Sequence, residues 1–208
     1  MKKLSLLLLL FVLISCKKNE TNSIPIDTTE LHNGDIIFQT SLSSQSQAIQ
    51  LATKSIYSHC GIINKENGAF YVFEAIQPVQ KTPLNEWIAR GKDKFYIVKR
   101  LKEFKDGLPE EKLMVMKTAG ETMNGKNYDL YFEWSDDRIY CSELIWKIYK
   151  KAEIELSTPE ELKDFDLTNT VVKHKLKERY GNEIPLHEKV VSPAALFNSR
   201  LLYTVTSK

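Results

Sequence analysis

The chain has 208 residues, 42% of them hydrophobic, with 29 Lys+Arg against 27 Asp+Glu and a net charge of +2. That length suits one domain of ordinary size behind a short leader. Lys2 and Lys3 fall in that leader, so the remainder is neutral; with no basic tract or aromatic-plus-basic ladder, nucleic acid is excluded as a partner.

The leader comes first. Met1-Lys2-Lys3 is a basic start, and residues 4–14 are apolar apart from Ser5, a run too short to span a bilayer and suited to a signal-peptide core. Leu13-Ile14-Ser15-Cys16 sets a small residue before a cysteine and resembles the lipobox of bacterial lipoproteins, in which that cysteine becomes the acylated N-terminus. The expected organisation is a signal peptide at 1–15, a lipidated Cys16 with a polar tether at 16–30, and one domain at 31–208. Such a chain would be anchored to a membrane in the cell envelope. An ordinary secretory signal with a chance cysteine is the alternative.

Within the domain, Gly34 leads into a short strand through Ile36-Ile37-Phe38, and Ser43-Ser44 can cap a helix carrying Ala48, Ile49, Leu51 and Ala52. Two apolar, aromatic-rich runs at 59–64 and 69–76 flank Lys65-Glu66-Asn67-Gly68, and Asn-Gly in that setting predicts a hairpin. Taking all four residues as the loop pairs Asn64 with Ala69 and, counting back, His59 with Glu74. Opposed residues share a face of the sheet, so a histidine and a carboxylate meet there.

Thr82-Pro83 predicts a capped helix, 95–98 a strand, and Pro109 the start of a helix with Leu113, Met116, Ala119, Gly120 and Met123 inward. The loop Gly125-Lys126-Asn127-Tyr128-Asp129 precedes a helix opened by Cys141, whose Leu144, Ile145, Ile148 and Tyr149 recur at the spacing of a buried stripe. Thr158-Pro159-Glu160-Glu161 reads as a capping-box start, 170–180 as helix or strand, Ser192-Pro193 as a helix start, and 201–205 as a closing strand. The predicted fold class is α+β, an antiparallel sheet or partial barrel with packed helices.

A thiol in the first turn of a helix feels the positive end of its dipole, which favours the thiolate. Cys141 as nucleophile, His59 as base and Glu74 as the group orienting the imidazole form the parts list of a cysteine hydrolase. The free N–H of Cys141 or Ser142 could donate to an oxyanion, and Tyr57 is a second candidate donor. Taken singly, His59 reads as a half-buried strand histidine and Cys141 as a small core residue; Glu143 reads as part of a solvated helix face, and His32, His174 and His187 as surface residues. Cys60 and Cys141 could pair as a disulfide in an exported protein; they are read as free thiols instead, with Cys60 a core residue facing away from His59. No cysteine spacing fits a zinc site, and neither metal nor cofactor is expected.

The order of blocks also carries a resemblance. Gly34-Asp35-Ile36-Ile37-Phe38, Ser58-His59-Cys60-Gly61-Ile62, Phe73-Glu74-Ala75, the Gly125–Asp129 loop and Tyr140-Cys141-Ser142-Glu143-Leu144 together resemble the circularly permuted NlpC-type papain-like hydrolases, in particular the YiiX/YaeF-like family, over residues 31–205. In ordinary papain-like enzymes the cysteine helix comes before the histidine strand. The resemblance implies a papain-like core, the same Cys141, His59 and Glu74 roles, and cleavage of amide or ester bonds in envelope molecules, with cell-wall peptides or lipid-derived molecules as substrates. A lipid acyl hydrolase or acyltransferase and a non-catalytic ligand-binding lipoprotein are the competing expectations. Cys60 departs from the aliphatic residue ordinary at its place.

Overall fold

A computed structural model describes residues 27–208. The expected signal peptide, Cys16 and most of the tether lie outside the described residues. The strands are β1 (Ile36–Gln39), β2 (His59–Glu66), β3 (Ala69–Glu74), β4 (Gln80–Pro83), β5 (Ile97–Leu101) and, after four two-residue strands β6 (Asn127–Tyr128), β7 (Arg138–Ile139), β8 (Glu160–Glu161) and β9 (Lys189–Val190), the closing β10 (Leu202–Ser207). The helices are α1 (Ser46–Thr53), α2 (Leu84–Ala89), α3 (Glu110–Met123), α4 (Cys141–Lys151), α5 (Thr170–Tyr180) and α6 (Pro193–Phe197). The main sheet is antiparallel, six strands in the order β10-β5-β1-β2-β3-β4.

Both faces of its centre are covered, which is why β1 and β2 read as continuous apolar runs instead of alternating ones. Ile36, Phe38, Cys60, Ile62 and Phe73 pack against α3 and α4, with Met116, Ala119, Leu144, Ile145 and Ile148 in the same core. Ile37, Ile63 and Val72 point the other way, onto Leu84, Trp87 and Ile88 of α2. The period-two alternation of a strand thus divides one segment between two cores. A third cluster joins Tyr140 to Leu162, Val172, Leu176 and Val190, where the chain between α4 and α6 folds over α1.

The hairpin forms, in a different register. Asn67 and Gly68 alone make the turn, both at positive φ (49° and 83°), as a two-residue type I′ turn requires. Glu66 therefore pairs with Ala69 and Ile62 with Phe73, two positions from the predicted pairing of Asn64 with Ala69. Extending the ladder puts Gly61, not His59, opposite Glu74. Because the displacement is even, every side chain keeps its face, and His59 meets Glu74 on the diagonal. A Cβ on Gly61 would come within 2.2 Å of Val72 Cγ1 and 3.4 Å of Glu74 Cβ, so the bare backbone there makes room for both.

Two helix starts fall elsewhere. Thr82 lies in β4 and Pro83 is the residue before α2, so the threonine side chain is released for another partner. The segment at 158–161 opens no α-helix: Glu160 and Glu161 pair with Val190 and Lys189, and a single 3-10 turn (Leu162–Asp164) follows. Pairing with a distant strand outweighs the local capping signal there. The 170–180 segment is helical, capped by Asn169 accepting from Val171 N, and Ser192 caps α6 as expected.

A buried ion pair ties the sheet together. Arg100 of β5 donates through Nε and Nη2 to Asp35 at 2.7 and 2.8 Å, and Asp35 also accepts from His32 N at 2.9 Å. Such a two-pronged bond matches the planar geometry of the guanidinium.

Candidate active site

His59 opens β2 and Glu74 ends β3, so the hairpin delivers an imidazole and a carboxylate to one rim of the sheet. His59 Nε2 lies 2.6 Å from Glu74 Oε2, and the ring stacks on Trp87 at 5.8 Å between centroids. Glu74 is fully buried. Its other oxygen accepts from Thr82 Oγ1 at 2.5 Å and from Arg90 Nη2. Burial would raise the Glu74 carboxyl, but bonds to His59 and Thr82 and the charge of Arg90 hold it below its ordinary value. A carboxylate strung between three partners cannot swing away from the imidazole. Thr82 and Arg90 carry no signal in the sequence that would single them out.

With Nε2 engaged by Glu74, the other ring nitrogen is left for Cys141, the first residue of α4. Cys141 is buried, and its thiol is held well below the ordinary value. Hydrogen bonding from the Cys60 thiol is the largest cause; burial opposes it, and His59 adds a second bond and its charge. Burial works against the His59 imidazolium, but hydrogen bonding and charge from Cys141 and Glu74 outweigh it and raise the ring to about 9. Both directions favour a thiolate–imidazolium pair with the Glu74 carboxylate behind it, set against the positive end of a helix.

Cys60 is not a bystander. It faces α4, not His59, as its place in the strand demands, but that face is where Cys141 sits. Its own thiol is pushed up, first by burial and then by the neighbouring Cys141. Cys60 and Cys141 are both free thiols.

The other predicted participants sit as follows. Ser142 Oγ donates to Val191 O at 2.7 Å, so its hydroxyl is committed to the backbone that crosses the helix start. Val191 N in turn donates to Tyr140 Oη at 3.0 Å. Tyr57 stacks on Phe197 at 4.1 Å and meets Phe38 edge-on at 6.1 Å, a packing role. Glu143, read as solvated, is fully buried: it pairs with Lys147 at 2.8 Å and accepts from Tyr140 N at 3.3 Å. Burial raises it to about 7 against the opposing effect of Lys147. Helical spacing places it on the outer side of α4, and the segment before β7 brings Asp136 to its partner Lys147.

Tyr128, in the loop ahead of the cysteine helix, carries no local signal that marks it for the site. Its hydroxyl accepts from Gln45 Nε2 at 2.9 Å, and its acidity is suppressed by burial first and then by the charge of Cys141. It lines a cleft together with Cys141, between α1 and α5.

With this geometry established, the chain can be set beside known proteins. Residues 30–206 match the family described as permuted papain-like amidase enzyme, YaeF/YiiX, C92 family. An uncharacterized protein YiiX of Escherichia coli strain K12 is 47% identical over 187 residues, 89% of this chain and 91% of that one. A solved structure named as metalloprotein YiiX of Escherichia coli O157:H7 is 49% identical, covers 86% of this chain and 98% of its own, and superimposes with a TM-score of 0.82. The word metalloprotein belongs to that protein. In this chain Glu74 is already committed to three partners, and among the described residues no three His, Cys, Asp or Glu side chains are grouped to hold a metal ion. The match over nearly the whole domain decides the family: the chain belongs to the permuted papain-like amidases of the YaeF/YiiX (C92) family, and is a papain-like cysteine hydrolase.

Proposed function

We propose that Cys141, His59 and Glu74 form the catalytic triad and that the enzyme cleaves an amide through a thioester. The observation that carries this reading is the single imidazole shared between Glu74 at 2.6 Å and a thiol whose acidity it raises. In the first half-reaction the Cys141 sulfur attacks the amide carbon, and the imidazolium of His59 gives its proton to the departing amine. In the second, His59 takes a proton from water, which attacks the thioester and releases the acid and the thiolate. The N–H groups in the first turn of α4, which a helix leaves without internal partners, would donate to the oxyanion; losing one such donor typically costs about 3 to 4 kcal/mol of transition-state stabilisation.

The setting proposed is the cell envelope, with the enzyme tethered to a membrane through lipid on Cys16 and acting on cell-wall peptides. The basic start, the short apolar run and Ser15-Cys16 support it. Incorporation of labelled palmitate into the wild-type chain and not into Cys16→Ala tests the anchor. The triad is tested by hydrolysis of envelope-derived amides and by mass spectrometry of the trapped acyl-enzyme: both should vanish in Cys141→Ala and His59→Ala. Hydrolysis that persists in Cys141→Ala would remove the nucleophile assignment.

A further inference from the structure

Cys60 carries a reactive group for which the hydrolytic steps have no use. It is fully buried on the face of β2 that α4 covers, in the same core as Cys141. Cys141 Sγ accepts from the Cys60 thiol and also from the Cys60 backbone N–H, so the two residues meet through side chain and main chain alike. An aliphatic side chain would fill such a place in the core as well. Only a second sulfur could also bond covalently to the first.

The two thiols differ in the ways that a redox pair requires. Cys141 lines the open cleft between α1 and α5, so a small oxidant reaches it, whereas Cys60 is closed off from solvent. Hydrogen bonds from Cys60 and His59 hold Cys141 toward the thiolate, and burial keeps Cys60 protonated. Peroxide oxidises the thiolate form, so its first target is Cys141. A disulfide needs its sulfurs about 2 Å apart, and a sulfur already hydrogen-bonded to its partner is a side-chain adjustment from that geometry. Because α4 already packs on β2, neither element has to travel.

We propose that Cys60 is a resolving cysteine: hydrogen peroxide oxidises Cys141, and Cys60 then joins it in a reversible disulfide that occupies the nucleophile. In the first step the Cys141 thiolate attacks one peroxide oxygen; an S–O bond forms, the O–O bond breaks, and the departing hydroxide takes the His59 proton to become water. The sulfur is oxidised to a sulfenic acid and the peroxide is reduced. In the second step the Cys60 sulfur attacks Cys141; the S–S bond forms, the S–O bond breaks, and hydroxide leaves with the Cys60 proton as water. A dithiol returns both thiols by exchange, being oxidised to its own disulfide. Formation of the bond needs only the two neighbouring sulfurs, whereas the accompanying loss of hydrolysis rests on the proposed role of Cys141 as nucleophile.

The test exposes the purified full chain to hydrogen peroxide, blocks the remaining thiols by alkylation, and maps the cysteine peptides by mass. In the wild type the Cys60 and Cys141 peptides should be linked, and hydrolysis of envelope-derived amides should fall in proportion to the linked fraction. Dithiothreitol should restore both the thiols and the hydrolysis. In Cys60→Ser, which keeps a hydroxyl donor toward Cys141, the same treatment should carry Cys141 on to the sulfinic acid, which dithiothreitol does not reverse. Cys60→Ala serves the same purpose if that variant does not fold. Wild-type Cys141 that gains oxygen without linking to Cys60, links to Cys16 instead, or stays unoxidised would overturn the proposal. Equal recovery of Cys141 in the wild type and in Cys60→Ser would do the same. Full linkage with hydrolysis unchanged would uphold the disulfide and sink the nucleophile assignment alone.

Discussion

Glu74→Gln probes the pairing at the centre of the site. The substitution keeps the shape of the side chain and an oxygen for Thr82, and removes only the charge that faces His59 and Arg90. Burial alone would hold the His59 imidazole below 6.5; Cys141 and Glu74 together carry it to about 9. The net rise is about 2.5 pH units, or about 3 kcal/mol at 1.36 kcal/mol per unit. Because burial opposes the imidazolium, Cys141 and Glu74 together supply more than that net rise, so neutralising Glu74 should lower the His59 value by on the order of one pH unit. The direction follows from charge: an anion beside the ring favours the imidazolium, and removing it releases the proton at lower pH. The assay is an NMR titration of the imidazole resonances, with His59 assigned by comparison with His59→Gln. A ring that titrates at the same pH in Glu74→Gln and the wild type, or near 6.5 in both, would refute the reasoning.

Other outcomes follow from the same geometry. Gly61→Ala forces a methyl to within 2.2 Å of Val72 Cγ1 in a fully buried corner, which should cost about 1 to 3 kcal/mol in urea denaturation and slow Cys141 alkylation as β3 moves; unchanged stability and reactivity would contradict it. Asp35→Ala strands the buried Arg100 guanidinium and should destabilise the fold by about 3 to 5 kcal/mol, read from the denaturation midpoint; a loss below 1 kcal/mol would mean the pair contributes little. For Glu143 the raised value of about 7 means the folded chain keeps a proton that the unfolded chain releases near 4.5, so stability present below 4.5 is lost as pH rises through about 7. The slope is at most about 1.4 kcal/mol per pH unit over that window, and Glu143→Gln should remove it. Denaturation midpoints at pH 5 and pH 7.5 that change equally in both proteins would count against the buried carboxyl.

Local signals were strong enough to show the hairpin, the cysteine helix and three residues of the proposed triad. Asn67-Gly68 is a turn in almost any setting, and the apolar stripe from Cys141 to Tyr149 has only one way to be buried. The observed register differs from the predicted one because four polar residues look alike as a loop, whereas ladder bonding favours the shortest turn that Asn-Gly can make. Face parity survived the error, and with it the meeting of His59 and Glu74.

Covalent order thus determined which residue types stand on which strand face or helix turn, because those periodicities are properties of the backbone itself. Tertiary structure alone decided the rest: that Thr82 and Arg90 anchor Glu74, that Cys60 lies against Cys141, that Glu143 is buried, and that Arg179 reaches the cleft beside Cys141. Arg179 and Gln45, which bond to each other, are 134 positions apart in the chain. No local pattern encodes such pairs. They come together only when several elements bury their apolar faces at once, and the polar groups brought along must then find partners.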